Sequence, residues 1–276
     1  MALSSPSGGV RRARQLLHVS VLAQSASPCG RFLAAANDFG EIAIFGLSAA
    51  LSAEAKEENR RAVAVVRAHN GPVYSLASTE RLLLSGSDGE IRAWSWAELG
   101  RKGCRELWTR RPPCRSSLEV PEINGLEVNQ RDHWVALAGG DGAVRVLDLE
   151  SGAFTHELRG HQDLVHVVAL REQLPQVLSG GEDGTVRLWD LRTGAQVQLI
   201  EVHKYQVLSG GVGPALHLLQ LSGDVRGKVP VTPAALRSLC LHPRSPEHQV
   251  LTVAGNSPKI DVFTNLGYRA FSLSFT

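Results

Sequence analysis

The sequence predicts an all-β fold assembled from repeated units, and three observations lead to that prediction. Residues 178–191 contain an apolar run, an Asp-Gly turn and a second run with alternating side chains, which is the pattern of a β-hairpin. Related hairpins recur along the chain. The pair Gly160-His161 precedes this hairpin, and Trp189-Asp190 ends it. A Gly-His pair followed about 30 residues later by Trp-Asp is typical of one blade of a β-propeller.

Four polar side chains of this blade are predicted to form a buried relay. Asp183 is expected to accept a hydrogen bond from His161, which in turn accepts one from Ser179. The indole N–H of Trp189 is expected to donate to the same Ser179 hydroxyl. Because each of these groups would cost about 1–3 kcal/mol if it were buried without a partner, the motif has a structural purpose. Asp183→Ala should therefore destabilise the fold.

Other copies of the hairpin extend the prediction to a ring of WD40-type blades. Residues 38–45 repeat the turn and second strand, and residues 139–148 and 259–263 are further copies. The copy at residues 85–94 also has an upstream histidine, so a second complete relay is predicted, made by His69, Ser85, Asp88 and Trp94. The copy at residues 139–148 lacks the histidine and tryptophan, so Asp141→Ala is expected to matter less than Asp183→Ala.

The spacing of the tryptophan-equivalent position predicts how many blades are complete. Successive intervals from Phe45 to Phe263 are 49, 53, 42, 30 and 44 residues, whereas a four-stranded blade needs about 40–45. The interval of 30 is too short. We therefore expect five ordinary blades and one defective blade at residues 206–229. Residues 1–15 are expected to be a disordered segment and residues 16–276 the propeller, with residues 17–23 as its first inner strand. Contact between the first and last blades would close the ring.

Composition argues against several classes of protein. The formal net charge is +2, so no global field attracts nucleic acid. No apolar run approaches the ~18 residues of a membrane span. Four widely spaced cysteines without a CxxC pair indicate reduced thiols of the cytosol or nucleus. No phosphate loop, carboxylate pair or ligand cluster is found, so we predict no enzyme, no metal, no cofactor and no small-molecule substrate.

One basic segment could contact RNA or an acidic protein partner. Trp108 lies among its cations and could stack on a base. The alternative is an outer strand with a solvated basic face, whose aromatic side chain packs inward, and we favour that alternative. The candidate residues are Arg101, Lys102, Arg105, Arg110, Arg111 and Arg115.

A second candidate surface is the segment that ends the Trp-Asp strand. Residues 189–192 read Trp-Asp-Leu-Arg, which matches the WDxR box of substrate receptors that dock on the adaptor of cullin-RING ubiquitin ligases. In that interpretation Asp190 and Arg192 would contact the adaptor. The same four residues also occur in plain WD repeats, which is the interpretation we favour.

Several idiosyncratic stretches resemble the THO complex subunit 6 family. They are residues 27–35, 117–124, 178–194 and 262–275, and the resemblance runs from about residue 16 to the end, interrupted around residues 201–213. It implies a seven-bladed nuclear WD-repeat subunit without catalytic residues. It also implies a place in the THO core of the TREX assembly, which couples transcription and splicing to mRNA export, with neighbours such as THO subunits 5 and 7 and only indirect contact with RNA. About one blade of sequence is missing near residue 203.

The favoured expectation is therefore a scaffold in a nuclear RNA-processing complex, with no membrane association. A substrate receptor for a cullin ligase is the alternative, and an RNA-binding propeller is third.

Overall fold

Antiparallel strands dominate the chain in its computed structural model. The structure describes residues 19–52, 54–101, 104–113, 120–171, 174–201, 215–219, 225–230, 236–241, 250–264 and 268–274. The predicted disordered segment at residues 1–15 and the first part of the predicted defective blade, residues 206–214, lie outside these ranges. In the described residues no helix is long and apolar enough to span a bilayer. One short helix, α1 (Leu47–Ala50), and a 3₁₀ helix (Glu57–Arg60) lie between the third and fourth strands.

Twenty-two strands are described. In chain order they are β1 (Val21–Ala26), β2 (Phe32–Asn37), β3 (Glu41–Gly46), β4 (Ala62–Arg67), β5 (Ser75–Ser78), β6 (Leu82–Gly86), β7 (Ile91–Ser95), β8 (Trp108–Arg110), β9 (Ile123–Asn129), β10 (Trp134–Gly139), β11 (Ala143–Asp148), β12 (Phe154–Arg159), β13 (Val165–Arg171), β14 (Gln176–Gly181), β15 (Thr185–Asp190), β16 (Ala195–Glu201), β17 (Ala215–Leu219), β18 (Val225–Pro230), β19 (Leu236–Leu241), β20 (Leu251–Gly255), β21 (Lys259–Thr264) and β22 (Tyr268–Ser274).

These strands form five four-stranded sheets and one two-stranded sheet in the described part of the chain. Each four-stranded sheet pairs consecutive strands in sequence order, so it is a four-stranded meander of the kind found in propeller blades. Blade one is β1–β4, blade two β5–β8, blade three β9–β12, blade four β13–β16 and blade six β19–β22. The two-stranded sheet β17–β18 stands where the defective blade was predicted. The predicted all-β propeller class is confirmed.

Turn glycines set both the hairpins and the spacing between blades. Gly40 and Gly142 adopt φ angles of +80° and +73°, in the left-handed region that favours glycine. A Cβ on Gly40 would lie 2.2 Å from the carbonyl oxygen of His69, and one on Gly142 would lie 2.9 Å from that of His161. Each turn therefore packs directly on the histidine of the next blade, and any side chain there would push the two blades apart.

Apolar clusters between adjacent blades make the core. Blades one and two share Ala34, Ile44, Leu83 and Trp94, and the other junctions are built in the same way. Because successive strand residues point to opposite faces, each complete blade carries one apolar set for each neighbour. This is why apolar residues fill both faces of β2 and β3, where five of six positions are buried in each strand.

Contact between blades one and six closes the ring, as the sequence predicted. The inner strands β1 and β19 are neighbours, and all four strands of blade six come from the C-terminal part of the chain. The amide of Gln24 donates to the carbonyl oxygens of Ser238 at 3.0 Å and Thr252 at 2.8 Å. This buried contact explains why β1 runs over Val21–Ala26, farther along the chain than the predicted residues 17–23.

One face of blade four has no complete neighbour among the residues that the structure describes. The matching face of blade three is fully buried against blade four, through Ala136, Ala138, Val144 and Val146. In blade four, Leu178, Val186 and Leu188 occupy the corresponding positions and are all half-exposed. Val167 on the same face is 49% exposed. The strands of blade four thus have apolar side chains on both faces, and those on this face are partly exposed to solvent.

Candidate functional sites on the propeller

The blade-four relay is formed by the four residues that the hairpin motif predicts. His161 Nε2 lies 2.7 Å from the Ser179 hydroxyl, which also accepts the indole N–H of Trp189 at 2.8 Å. His161 Nδ1 lies 3.0 Å from both carboxylate oxygens of Asp183. Strand β13 follows His161, and the β14–β15 hairpin supplies the other three residues. The relay therefore ties the loop before the inner strand to the two central strands.

Hydrogen bonds fix the charge of Asp183. Burial alone would raise the pKa of this carboxyl, but the donors around it outweigh burial and lower its pKa to about 2. Those donors are the backbone N–H of Gln162, the His161 ring and both the hydroxyl and backbone N–H of Thr185. Every donor belongs to the same blade. The carboxylate thus joins its own turn to the loop before β13.

The second relay has a different acid from the one predicted. His69 Nε2 lies 2.7 Å from the Ser85 hydroxyl, and Trp94 donates to that hydroxyl at 2.9 Å. The other ring nitrogen, Nδ1, lies 3.1 Å from a carboxylate oxygen of Glu90, so Glu90 and not Asp88 completes the relay. Ser85 and Trp94 are nine residues apart, whereas Ser179 and Trp189 are ten.

The shorter β6–β7 hairpin explains why Glu90 takes the place expected for Asp88 in the blade-two relay. The aspartate of the tight turn no longer reaches the histidine, and a longer glutamate two positions later does. Asp88 instead faces Gly71, where its carboxylate oxygen lies 2.2 Å from the place that a Cβ would take. Burial lowers the pKa of His69 despite the hydrogen bond to Glu90, so the ring is neutral at pH 7. Glu90 also accepts from Arg92 at 2.8 Å, which makes the blade-two relay part of a surface ion-pair network.

Blade three contains a buried ion cluster that the sequence reasoning missed. The Arg145 side chain is 2% exposed and donates to both carboxylate oxygens of Asp141. It also donates to the Glu157 carboxylate at 3.0 Å and to the Pro113 carbonyl oxygen at 3.1 Å. Burial alone would raise the pKa of Asp141, but Arg145 outweighs it and holds that pKa below its ordinary value. Asp141 therefore pairs with a buried cation. The structure gives no reason to expect Asp141→Ala to destabilise the fold less than Asp183→Ala.

A sequence signal for this cluster exists but is ambiguous. An arginine occupies the same strand position in blades two, three and four, as Arg92, Arg145 and Arg187. In blades two and four the acid pairs with a histidine and also contacts the arginine, at 2.7 Å for Arg92 and 3.7 Å for Arg187. Blade three has no relay histidine, and its arginine is both the main partner of the acid and the most buried of the three. In the sequence, the feature that distinguishes blade three from blades two and four is the missing relay histidine and not the arginine.

The basic segment splits into residues with different environments. Arg110 donates to the carbonyl oxygens of Gly152 at 3.1 Å and Thr109 at 3.0 Å, and its guanidinium lies 5.5 Å from the Trp108 ring centroid. Trp108 packs on the core between blades two and three. Neither side chain is therefore free to hold a base or a phosphate. This geometry favours the inward-packed alternative for β8.

The other cations of the segment are exposed or lie outside the described residues. Arg101 and Arg105 are exposed, and Arg111 is 78% exposed with a nitrogen 3.7 Å from Glu90. Lys102 and Arg115 are not among the described residues. The structure does not bring the six cations together into one described patch.

Asp190 and Arg192 bind each other at the end of β15. The Arg192 guanidinium donates to both carboxylate oxygens of Asp190, at 3.1 and 2.7 Å. The Asp190 side chain is 11% exposed and the Arg192 side chain 69% exposed. Hydrogen bonds from Arg192 lower the pKa of Asp190. The two side chains form a bidentate ion pair at the rim, and the outer edge of the Arg192 guanidinium faces solvent.

No group of three or more His, Cys, Asp or Glu side chains in the described ranges is arranged to hold a metal ion. The three polar clusters of blades two, three and four each join strands of one blade. What the arrangement supplies is a rigid ring whose loops and rim are held in fixed positions.

Comparisons with known proteins place these features in a family. A model described as WD domain, G-beta repeat matches residues 60–95, and one described as Nucleolar protein 10-like, N-terminal domain matches residues 114–218. THO complex subunit 6 of Homo sapiens and its Mus musculus homologue are each 48% identical to this chain, over 96% of this chain and 96% of the relative. The Danio rerio homologue is 42% identical over 95% of this chain and 99% of its own length.

The relatives are longer inside the matched region. The alignment with the mouse protein extends over 326 positions, whereas 96% of this chain is about 265 residues. About 60 aligned positions of the relative therefore have no residue of this chain opposite them. That length exceeds the about 40–45 residues of one blade, in line with the incomplete fifth blade. Sequence identity at this level and coverage shows that the chain belongs to the THO complex subunit 6 family.

Proposed function

We propose that this chain is a non-catalytic scaffold subunit of the THO subcomplex of TREX. In this role it couples transcription and splicing to nuclear mRNA export. The observation that carries the proposal is the 42–48% identity with THO complex subunit 6 proteins over nearly the whole chain. Relatives that share this much sequence share their fold, which supports a common role for this chain and the THO complex subunit 6 proteins.

The physical character of the propeller supports a scaffold. Its polar clusters hold strands together within blades, and the Asp183 carboxylate is saturated by donors of its own turn. A rigid ring offers many loops at once, which suits binding to several partners. We propose that those partners are other THO subunits, such as subunits 5 and 7, that the protein works in the nucleus, and that it meets RNA only through them.

Depletion followed by rescue tests this function. Cells depleted of the endogenous family member should accumulate polyadenylated RNA in the nucleus, and expression of this chain should restore its export. The matched control is Gly142→Val, which forces a side chain against the His161 carbonyl oxygen 2.9 Å away and so disrupts the ring without touching a surface loop. Rescue by the parent but not by this variant supports a folded scaffold. Failure of the parent to rescue, at equal nuclear abundance, contradicts the proposal.

A cullin-ligase receptor remains the second candidate because of one observation. The exposed Arg192 guanidinium is held at the rim by a bidentate bond to Asp190, which fixes its direction as a docking contact requires. In-solution binding to the purified ligase adaptor tests this candidate, and a parent chain that shows no binding excludes it.

A further inference from the structure

A groove of about 450 Å³ lies where blades one and six meet at the outside of the ring. The 3₁₀ helix and the residue after it form one wall, and the last two strands of blade six form the other. Its lining consists of Glu57, Arg60, Arg61, Lys259, Ser272, Leu273 and Ser274. Residues about 200 positions apart in the sequence meet here only because the ring closes.

The lining is cationic. Three of its side chains are cations and one, Glu57, is an anion. Arg60, Arg61 and Lys259 are all exposed, and within the described chain none of them has a carboxylate oxygen within 4.0 Å. By contrast, Arg92 in β7 contacts Glu90 at 2.7 Å. Among the described residues, the groove therefore has three cations that no carboxylate pairs with.

The backbone at the groove suits an extended peptide. Strand β22 is the outermost strand of blade six, and in the described residues it pairs with β21 on one side only. At its end Arg61 forms an isolated parallel bridge with Ser274. This edge thus already accepts a short piece of chain, and an exposed edge is a template for a further strand.

The aromatic side chain beside the groove is already occupied. The Arg60 guanidinium lies 5.2 Å from the centroid of the Phe271 ring, so this ring is covered and does not offer a face to a base. Glu58 on the same 3₁₀ helix is also exposed, and together with Glu57 it would repel a continuous chain of phosphates. Single-stranded nucleic acid needs open aromatic faces as well as a basic track, and the described residues that line this groove offer no open aromatic face.

We propose that this groove binds an extended acidic peptide of a protein partner. Carboxylate or phosphate groups on the peptide contact Arg60, Arg61 and Lys259, while its backbone lies along the edge of β22. Such contacts favour fast, salt-sensitive association. The site is separate from the relays and from Arg192, and it does not depend on THO membership.

Fluorescence anisotropy with the full chain tests this site. The probe is a labelled octapeptide that alternates glutamate with valine, measured in about 50 mM salt so that screening is weak. The same peptide with phosphoserine in place of glutamate distinguishes a carboxylate from a phosphate source. We expect Arg61→Glu/Lys259→Glu to weaken binding of the acidic peptide by about tenfold or more, because two attractive charges become repulsive. Arg60 is left unchanged because it packs on Phe271.

Matched controls separate the groove from general charge. The double variant Arg81→Glu/Arg131→Glu changes the net charge equally but at exposed turns of blades two and three, so it should alter affinity by less than about threefold. A peptide with glutamine for glutamate should bind poorly to the parent. Equal weakening in both double variants, equal binding of the glutamine peptide, or no binding of either acidic peptide would overturn the proposal. Tighter binding of octauridylate that is lost in the groove variant would reassign the site to RNA.

Discussion

The substitution Asp141→Ala tests the structure where it departs most from the sequence motif. Asp141 accepts two hydrogen bonds from Arg145, whose side chain is 2% exposed. Alanine removes both acceptors and leaves the guanidinium with Glu157 and the Pro113 carbonyl oxygen. Glu157 is 36% exposed and is shared with Arg159. The variant therefore leaves a buried positive charge with a weakened and more solvated partner.

The expected cost follows from the burial of the surviving charge. Removal of one member of a buried ion pair costs about 3–5 kcal/mol, because the other member stays desolvated. Glu157 offsets part of this, so we expect a loss of about 3 kcal/mol in the free energy of unfolding. Asp183→Ala should cost less, about 1–3 kcal/mol. The Thr185 hydroxyl lies 3.2 Å from His161 Nδ1 and can replace the lost carboxylate as its hydrogen-bond partner.

Urea denaturation followed by two probes measures both losses. Tryptophan fluorescence and far-ultraviolet circular dichroism should give the same midpoint if the ring unfolds as a unit. The informative control is Asp141→Ala/Arg145→Met, which removes the stranded charge and fills its volume with an apolar side chain. We expect this double variant to recover at least about half of the loss, since apolar replacement of a complete buried pair is often neutral.

Two results would refute this reasoning. A loss below about 1 kcal/mol for Asp141→Ala would mean that water or Glu157 fully satisfies Arg145. A double variant no more stable than the single one would mean that Asp141 acts through its turn, where it accepts the Ala143 backbone N–H at 3.3 Å, and not through the cation.

Three further predictions follow from the other clusters. The pKa of Asp183 is lowered to about 2, so this carboxylate should stabilise the fold above about pH 4 and lose that contribution as the pH falls towards 2. Asp183→Asn should then flatten the decline of urea midpoints in that window, and an unchanged decline would contradict the shift. Arg192→Ala should leave the thermal melt unchanged but abolish any capture of a cullin adaptor, and capture that persists would exclude docking through the Asp190–Arg192 pair. Replacement of the stretch between β16 and β17 by the corresponding stretch of the mouse relative should raise the melting temperature by covering Val167 and Leu188; an equal or lower melting temperature would show that this face needs no cover.

The sequence predicts the repeats well because the repeat is local. Blade four encodes its whole relay within 29 residues, from His161 to Trp189, and the structure has those four side chains in contact. Strand alternation and turn glycines likewise act over a few residues. The short interval between Trp189 and Leu219 also predicts a defective blade, and the described residues there form a two-stranded sheet.

What the sequence does not predict depends on loop length and on distant residues. A hairpin shorter by one residue replaces Asp88 with Glu90 in the second relay, although both acids fit the motif. The burial of Arg145 beside Asp141 goes with the absence of a histidine at the relay position of its blade. The cationic groove combines Arg60 with Lys259, and no local pattern signals a contact that ring closure alone creates.

The most direct test of the central claim is affinity purification of the tagged chain from nuclear extract, with quantitative mass spectrometry of what it retains. The account predicts that the other THO subunits are the most enriched proteins, at levels comparable to the tagged chain. The Gly142→Val variant should lose all of them, because the loops that bind partners are held only by a folded ring. Recovery of no THO subunit by the parent, while a longer relative purified in parallel recovers them, would show that the residues absent from this chain carry the docking surface. Recovery of none by either protein would contradict the assignment to the THO complex.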